Sequence, residues 1–382
     1  MLSVGLHAIE AILTGDEDRG RIWDRLRPWE EARLLNDKGG FERELGALKE
    51  SEKSYSEALK IVEEAGNWWA LPPARGRLSL NKSFALRNPP RTLIQRGLLT
   101  KGYEAAARSL EYEREVRDRE GQQIALCLMA QAKGLLGEVG EANKLYGTVL
   151  DRLREKDREH FYTKGYALRW ARLLLRAGER DEAESLIDES LKEAKRKRFL
   201  KDDVIYLMAD ILQRSRDLEE IRDAAGQTRR REVEIWCQLE MARDALNNRV
   251  FTRGVSLITT GLELCERYGY ALYWIDLQVV RGRLALEQGL LREAHMAARL
   301  ALYGRPLVDE DDPGKDDRER AVDELSMIGA LNASCGYAWG AHDGLDLLLD
   351  IQQRRAGLTL PEGRSSDDFE RELQGLKDKL SV

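Results

Sequence analysis

The sequence is short of prolines, cysteines and long apolar runs, and each shortage excludes something. Only 8 prolines occur in 382 residues, so little prevents the chain from being helical almost throughout. Its four cysteines, Cys127, Cys237, Cys265 and Cys335, stand singly. That pattern suggests neither a zinc knuckle nor a disulfide framework and points to a reducing, cytoplasmic setting. No stretch of about 18 uninterrupted apolar residues exists, so no membrane span is expected. The opening MLSVGLHAIEAILTGDEDRG lacks the basic n-region and cleavage pattern of a secretory signal. Basic residues are outnumbered, 62 Lys and Arg against 68 Asp and Glu, for a net charge of -6 and a pI near 5.6. This balance argues against generic duplex-DNA binding by the whole chain.

Catalytic motifs are lacking too. His7, His160, His295 and His342 are far apart in sequence, and no His-Glu-x-x-His is present. Ser79 and Lys82 have a Ser-x-x-Lys spacing without the companion motifs of acyl-transfer enzymes. In the acidic stretch GRPLVDEDDPGKDD, residues 304–317, Pro313 and Arg320 stand where a calcium loop needs acidic or amide ligands. No enzyme activity, metal or cofactor is therefore expected.

What is present is 42% apolar and 34% charged residues at a mean hydropathy of -0.53, with heavy use of Ala, Leu, Glu and Arg. Small residues recur 12 positions apart at Gly46 and Ala58, Ala130 and Ala142, Ala171 and Ala183, Ala242 and Gly254, and Gly282 and Ala294. Two antiparallel helices pack closely only where neither carries bulk at the crossing. First-helix crossing positions fall at Ile94, Ala130, Ala171, Ala209, Ala242 and Gly282, at intervals of 36, 41, 38, 33 and 40 residues. Turns GEVGEA (137–142), GERDEA (178–183) and GLLREA (289–294) lie where that register needs them. Ile94 and Ile221 are the bulky exceptions. The expectation is an all-α fold, a right-handed superhelix of antiparallel helical hairpins.

These hairpins resemble the tetratricopeptide repeat, on Leu45-Gly46 with YSEA (55–58), GYEAA (102–106), and Ala130, Ala171 and Gly282 with their turns. The likeness covers about residues 41–66 and 91–303, with helical continuation to about 356. Intervals near 40 exceed the family's usual 34 or so, which implies longer helices. A second likeness lies in LELCERYGYALYWIDLQVVRGRLALEQGLLREAHMAARLAL and CGYAWGAHDGLDLLLDIQQ. They look like the carboxyl-terminal sensor arrays of bacterial signal-transduction NTPases and maltose-regulator-like transcription factors. That likeness implies a bacterial regulatory or defence context; no Walker-type phosphate loop is present to supply the NTPase itself.

The sequence divides into charged amino-terminal helices with one hairpin (1–66), a proline-containing basic linker or strap (67–90), a solenoid of about six hairpins (91–303), the acidic loop (304–317), a helical continuation (318–356) and a terminal linker and short helix (357–382). The strap reads as extended because each proline pair disfavours helix before it. Between Glu64 and Glu104 there is no acidic residue, and Arg75, Arg77, Lys82, Arg87 and Arg91 are among its cations. Such a segment could complement the array, meet an acidic protein, or grip nucleic acid through residues 75–101.

In tetratricopeptide-like arrays the first helix of each hairpin lines the concave groove. The residue after each crossing position would then face inward: Gln95, Gln131, Arg172, Asp210, Arg243 and Arg283, with Arg176, Arg214, Asn247 and Glu287 about one turn further on. Arginines spaced in this way suit a carboxylate-bearing peptide or partner helix. The first functional reading is thus a non-catalytic interaction module that binds a protein or peptide in its groove. The alternatives are a small-ligand or signalling-peptide sensor, with Trp236, Tyr270, Tyr273 and Trp274 as pocket aromatics, and a nucleic-acid adaptor using the strap.

Overall fold

The computed structural model describes residues 6, 7, 9, 27–65, 72–152, 161–162, 165–200, 203–214, 216–303, 336–354 and 366–380. The acidic loop at 304–317, His160 and Cys335 lie outside them, as does 318–335 of the expected continuation. Helices follow one another as antiparallel pairs: α1 (Pro28–Glu44) with α2 (Leu48–Glu64), then α3 (Pro72–Arg87) and α4 (Pro89–Gln95) with α5 (Leu99–Glu115). Next come α6 (Arg119–Leu135) with α7 (Val139–Arg152), α8 (Tyr166–Ala177) with α9 (Arg180–Arg196), and α10 (Val204–Gln213) with α11 (Leu218–Gln227). The array continues through α12 (Arg231–Asn247) with α13 (Phe251–Tyr268) and α14 (Ala271–Glu287) with α15 (Leu291–Tyr303), to α16 (Ala338–Arg354) and α17 (Ser366–Leu380). Among the described residues there is no strand, and no helix is long and apolar enough to cross a membrane. The chain is an all-α solenoid.

Helix ends share one device. Among the described residues, the turns between successive antiparallel helices place a residue in the left-handed region, either glycine, as at Gly97, Gly137, Gly178, Gly269 and Gly289, or arginine, as at Arg117, Arg198, Arg229 and Arg249. At Gly178 the bonds are Gly178 N–H to Leu175 O (3.3 Å) and Glu179 N–H to Leu174 O (2.9 Å). Arg117 repeats them with Arg114 O (3.2 Å) and, through Asp118 N–H, Glu113 O (2.9 Å). These bonds satisfy carbonyls that a helix end would otherwise leave unpaired. Asp118, Asp203 and Asp217 cap the starts of α6, α10 and α11 by accepting from Gly121, Ile205 and Glu219 N–H.

First and second helices differ in burial. On α9 only a stripe is covered: Ala183, Leu186, Ile187, Ser190 and Ala194. On α14 nearly every face is covered, Tyr273, Trp274, Asp276, Gln278, Gly282 and Leu286 included. First helices are therefore the inner layer and second helices the outer one. The crossing alanines at 58, 130, 142, 171, 183, 242 and 294 are wholly buried. A side chain on Gly254 would start 2.3 Å from Leu284, and one on Gly282 would start 2.4 Å from Leu347 and 3.2 Å from the Ala294 carbonyl. The bulky Ile94 is accommodated because Gly102 on α5 faces it, with a Cβ there only 2.7 Å from Ile94 Cγ1.

Two expectations need correction. Gly46 is not a crossing residue: it is the left-handed turn residue after α1, with φ of 88°. The close approach within that hairpin is Gly39 beneath the Tyr55 ring, where Ser51 also donates to Gly39 O (2.8 Å). Nor is the described part of the 67–90 segment, residues 72–90, an extended strap. From Pro72 it is helical, and Asn88 N–H still bonds Phe84 O (3.1 Å) before Pro89 and Pro90 restart the helix as its first two residues. Prolines are tolerated there because the first N–H groups of a helix have no intrahelical acceptor. Together α3 and α4 form one interrupted first helix that packs with α5.

The superhelix closes on itself. The turn at Gly46 meets Tyr268 and Arg231, the turn at Gly97 meets Ala271 and Leu272, and Gly336 meets Leu136. Arg230 pairs with Glu44 at 2.7 Å, and Trp339 Nε1 donates to Gly134 O at 3.1 Å. The concave side is consequently a narrow interior, bridged between early and late helices, rather than a wide groove.

Candidate binding cavity

First helices from successive hairpins surround a cavity of about 80 Å³. Gln95, Gln131, Arg169, Arg172, Arg176, Glu232 and Asp276 supply its polar wall; Tyr146, Tyr270, Tyr273, Tyr337 and Trp339 supply rings; Ile94, Leu135, Leu173, Met208 and Leu272 supply apolar surface. Arg169, Arg172 and Arg176 share the inward face of α8 because three and four residues make one helical turn. Leu173 and Gly134 bring α6 and α8 together there, since a Cβ on Gly134 would lie 2.5 Å from Leu173.

Two of these arginines are tied across the interior. Arg169 meets Glu232 at 3.1 Å, and Gln95 Nε2 donates to the same carboxylate at 2.9 Å. Arg176 meets Asp276 at 2.8 Å and donates to Tyr337 Oη at 2.7 Å, while Tyr337 donates to the other Asp276 oxygen at 2.9 Å. Burial pushes the Asp276 carboxyl pKa up, but Arg176, Arg243 and Arg172 outweigh it and hold the group below its ordinary value. Glu232 is lowered in the same way against its burial, chiefly by Arg169 and Arg91. Burial pushes the Tyr273 hydroxyl up to about 12, so it stays protonated.

Arg172 differs. Its guanidinium lies 4.4 Å from the Trp236 ring centroid and 5.0 Å from that of Tyr273, and it donates to Tyr273 Oη at 2.8 Å. No carboxylate among the described residues pairs with it. Gln131 Oε1 and Gln95 Oε1 are buried without hydrogen-bond partners. Deeper in the same interior, burial and the like charges of Arg169 and Arg43 pull the Arg91 pKa down. Beside it Glu44 is held at about 2: burial raises it, and Arg91, Arg43 and Arg230 more than compensate. A protein of net charge -6 thus keeps an excess of cations inside.

The inward positions read from the repeat register separate into two sets. Gln95, Gln131, Arg172 and Arg176 converge on the cavity. Others form ties between successive first helices: Arg214 with Glu240 (2.7 Å) and Asp244 (3.1 Å), and Arg283 with Asp350 (3.2 Å) and Asp346. Arg243 pairs with Glu240 (2.7 Å), Asp210 with Arg216 (3.5 Å) and Glu287 with Arg354 (2.9 Å), while Asn247 is exposed. The basic segment turns inward as well. Arg87 is paired with Asp118 (2.5 Å) and Glu113 (3.2 Å), Lys82 lies over the Tyr112 ring at 5.0 Å, and Arg91 lies inside. The side chains of Arg75 and Arg77 lie outside the described residues.

Trp236 and Tyr273 hold Arg172, Tyr270 lines the cavity, and Trp274 is packed in the core with its Nε1 on Glu266 (3.1 Å). Sequence reasoning missed Arg169, Glu232, Asp276, Tyr337 and Trp339. Arg169 was within reach, three residues before Arg172 on the same face. The others need the curvature of the whole array.

Fold and cavity define the class: an all-α helical-repeat solenoid wound tightly enough to bring polar residues of several hairpins around one cavity. No family model matches the chain, and no curated protein matches it in sequence.

Proposed function

We propose that this chain is a non-catalytic recognition module that acts as a sensor, taking a small ligand into its narrow concave interior. The observation that carries this reading is Arg172, a cation in no direct ion pair among the described residues, clamped by two aromatic rings at the wall of a cavity. Occupancy would add contacts to first helices of several hairpins at once and so favour one superhelical curvature over others. The likeness to carboxyl-terminal sensor arrays supports the same reading and suggests a bacterial, cytoplasmic regulatory assembly. An extended peptide suits the interior less well. It would have to displace Arg169 from Glu232 and Arg176 from Asp276, and unpairing a buried ion pair costs about 3–5 kcal/mol.

The test compares thermal unfolding of the full chain with and without a low-molecular-mass cell extract, in wild type and in Leu135→Trp, which fills the cavity. A rise in Tm for wild type alone is the expected result. No rise, together with a protein partner that is lost on Arg172→Glu, would instead favour the protein-binding groove.

A further inference from the structure

We propose that the ligand of this cavity is a compact hydroxy-monocarboxylate, with its carboxylate on the free edge of Arg172 and its hydroxyl on Gln131. The inference rests on the recognition reading above and names the chemistry of that site. Charge supplies the first argument. Three guanidinium groups and two carboxylates line the cavity, and two matched pairs, Arg169 with Glu232 and Arg176 with Asp276, leave Arg172 over. At the cavity wall this is one surplus positive charge, which fits a monoanion; Arg91, deeper in, faces Glu44 and Glu232. A phosphate near -2 would leave negative charge uncompensated in a largely desolvated site.

Shape supplies the second argument. Trp236 and Tyr273 fix the plane of the Arg172 fork, and the Tyr273 hydroxyl occupies Nη1. What remains is a planar edge of N–H donors, the match for a planar carboxylate. The volume of about 80 Å³ holds about half a dozen waters. Nucleotides and drug-sized ligands usually take pockets of roughly 300–1,000 Å³.

The third argument is polar satisfaction. Gln131 occupies on α6 the register position that Arg172 occupies on α8, and both line the cavity. Its Oε1 is buried and unpartnered, as is that of Gln95, whose amide nitrogen is already given to Glu232. Gln131 Oε1 has no accessible surface as the side chain stands; a turn of the Gln131 amide toward the cavity it lines lets a ligand hydroxyl supply the missing donor, which neither a simple fatty acid nor a chloride ion can do. Leu135, Leu173 and Met208 offer surface to a short carbon chain.

Isothermal titration calorimetry on the full chain tests this with five probes: L-lactate, glycolate, propionate, propane-1,2-diol and inorganic phosphate. Lactate or glycolate should bind, propionate about tenfold more weakly for want of one hydrogen bond, and the diol not at all. Arg172→Met should abolish carboxylate binding. Gln131→Leu should lower the hydroxy acids to the level of propionate and leave propionate unchanged, which keeps the test decisive if Arg172→Met folds poorly. Hydroxy acids that bind no better than propionate, or equally well to Gln131→Leu, would overturn the proposal. Phosphate that binds more tightly than any carboxylate, and is lost in Arg172→Met, would overturn the ligand class while leaving the sensor reading intact. Silence from every probe, together with no response to the extract, would remove both.

Discussion

Asp276 offers the sharpest test of the bridged interior. It is 3% exposed, and its two oxygens are shared between Arg176 of α8 and Tyr337, which precedes α16. Replacing it with Ala leaves a guanidinium buried, charged and unable to give up its proton, at a cost of about 3–5 kcal/mol. Arg176→Met should cost somewhat less, because the stranded carboxyl can take up a proton and Tyr337 still donates to it. The double variant Arg176→Met with Asp276→Leu removes both charges and fills the space, so it should be more stable than the single Asp276→Ala variant by about 2 kcal/mol or more. Urea unfolding followed by far-UV circular dichroism gives the comparison from the midpoints, provided the slopes stay constant across the set. Completing the cycle with Asp276→Leu alone isolates the coupling. A coupling below about 0.5 kcal/mol would show that the pair behaves like an exposed ion pair, and the account of α8 tied across the interior to α14 would fail.

Four further outcomes follow from other parts of the structure. Gly178 has φ of 89° and open space around a Cβ, so Gly178→Ala should lower stability by about 1 kcal/mol through backbone strain alone; Arg198→Gly, at φ of 57°, should be neutral or slightly stabilising in the same denaturation assay. Gly282→Val should cost about 3 kcal/mol or more, because the Ala294 carbonyl is backbone and cannot step aside as the end of Leu347 can. Glu44 is held at about 2, below its ordinary 4.5. A depressed carboxylate stabilises the fold above its unfolded pKa and loses that contribution as pH falls through the folded one. Stability at pH 7 should therefore include up to about 3 kcal/mol that disappears between about pH 5 and pH 2, and Glu44→Gln should flatten that limb of a stability–pH curve.

Much of the fold was legible because its causes are local. The turn at Gly178, the crossing of Ala171 with Ala183 and the stripe along α9 each depend on residues within one hairpin. The exception at Ile94 was visible as an exception; its resolution by Gly102 depends on which face of α5 turns inward. The proline pairs misled for a definable reason. Pro89 disfavours helix in an isolated chain, yet burial of Asn81 and Ser83, with their bonds to Trp29 O (2.6 Å) and Glu113 (2.6 Å), holds α3 helical up to it. Gln95, Gln131, Arg172 and Arg176 were found by register alone. Their partners were not, because Glu232 lies 137 residues from Gln95, and Asp276 and Tyr337 lie 100 and 161 residues from Arg176.

By itself, then, the sequence determined most of the hairpins and the inward side of α4, α6 and α8, because helix periodicity and turn chemistry act over a few residues to about forty. Only the tertiary structure decided how tightly the array winds. Small crossing angles between neighbouring helices add from repeat to repeat, so the register in which α1 and α4 return to meet α12 and α14 is a property of the whole array. That accumulated curvature pairs Arg169 and Arg176, leaves Arg172 over, and brings the cavity wall together.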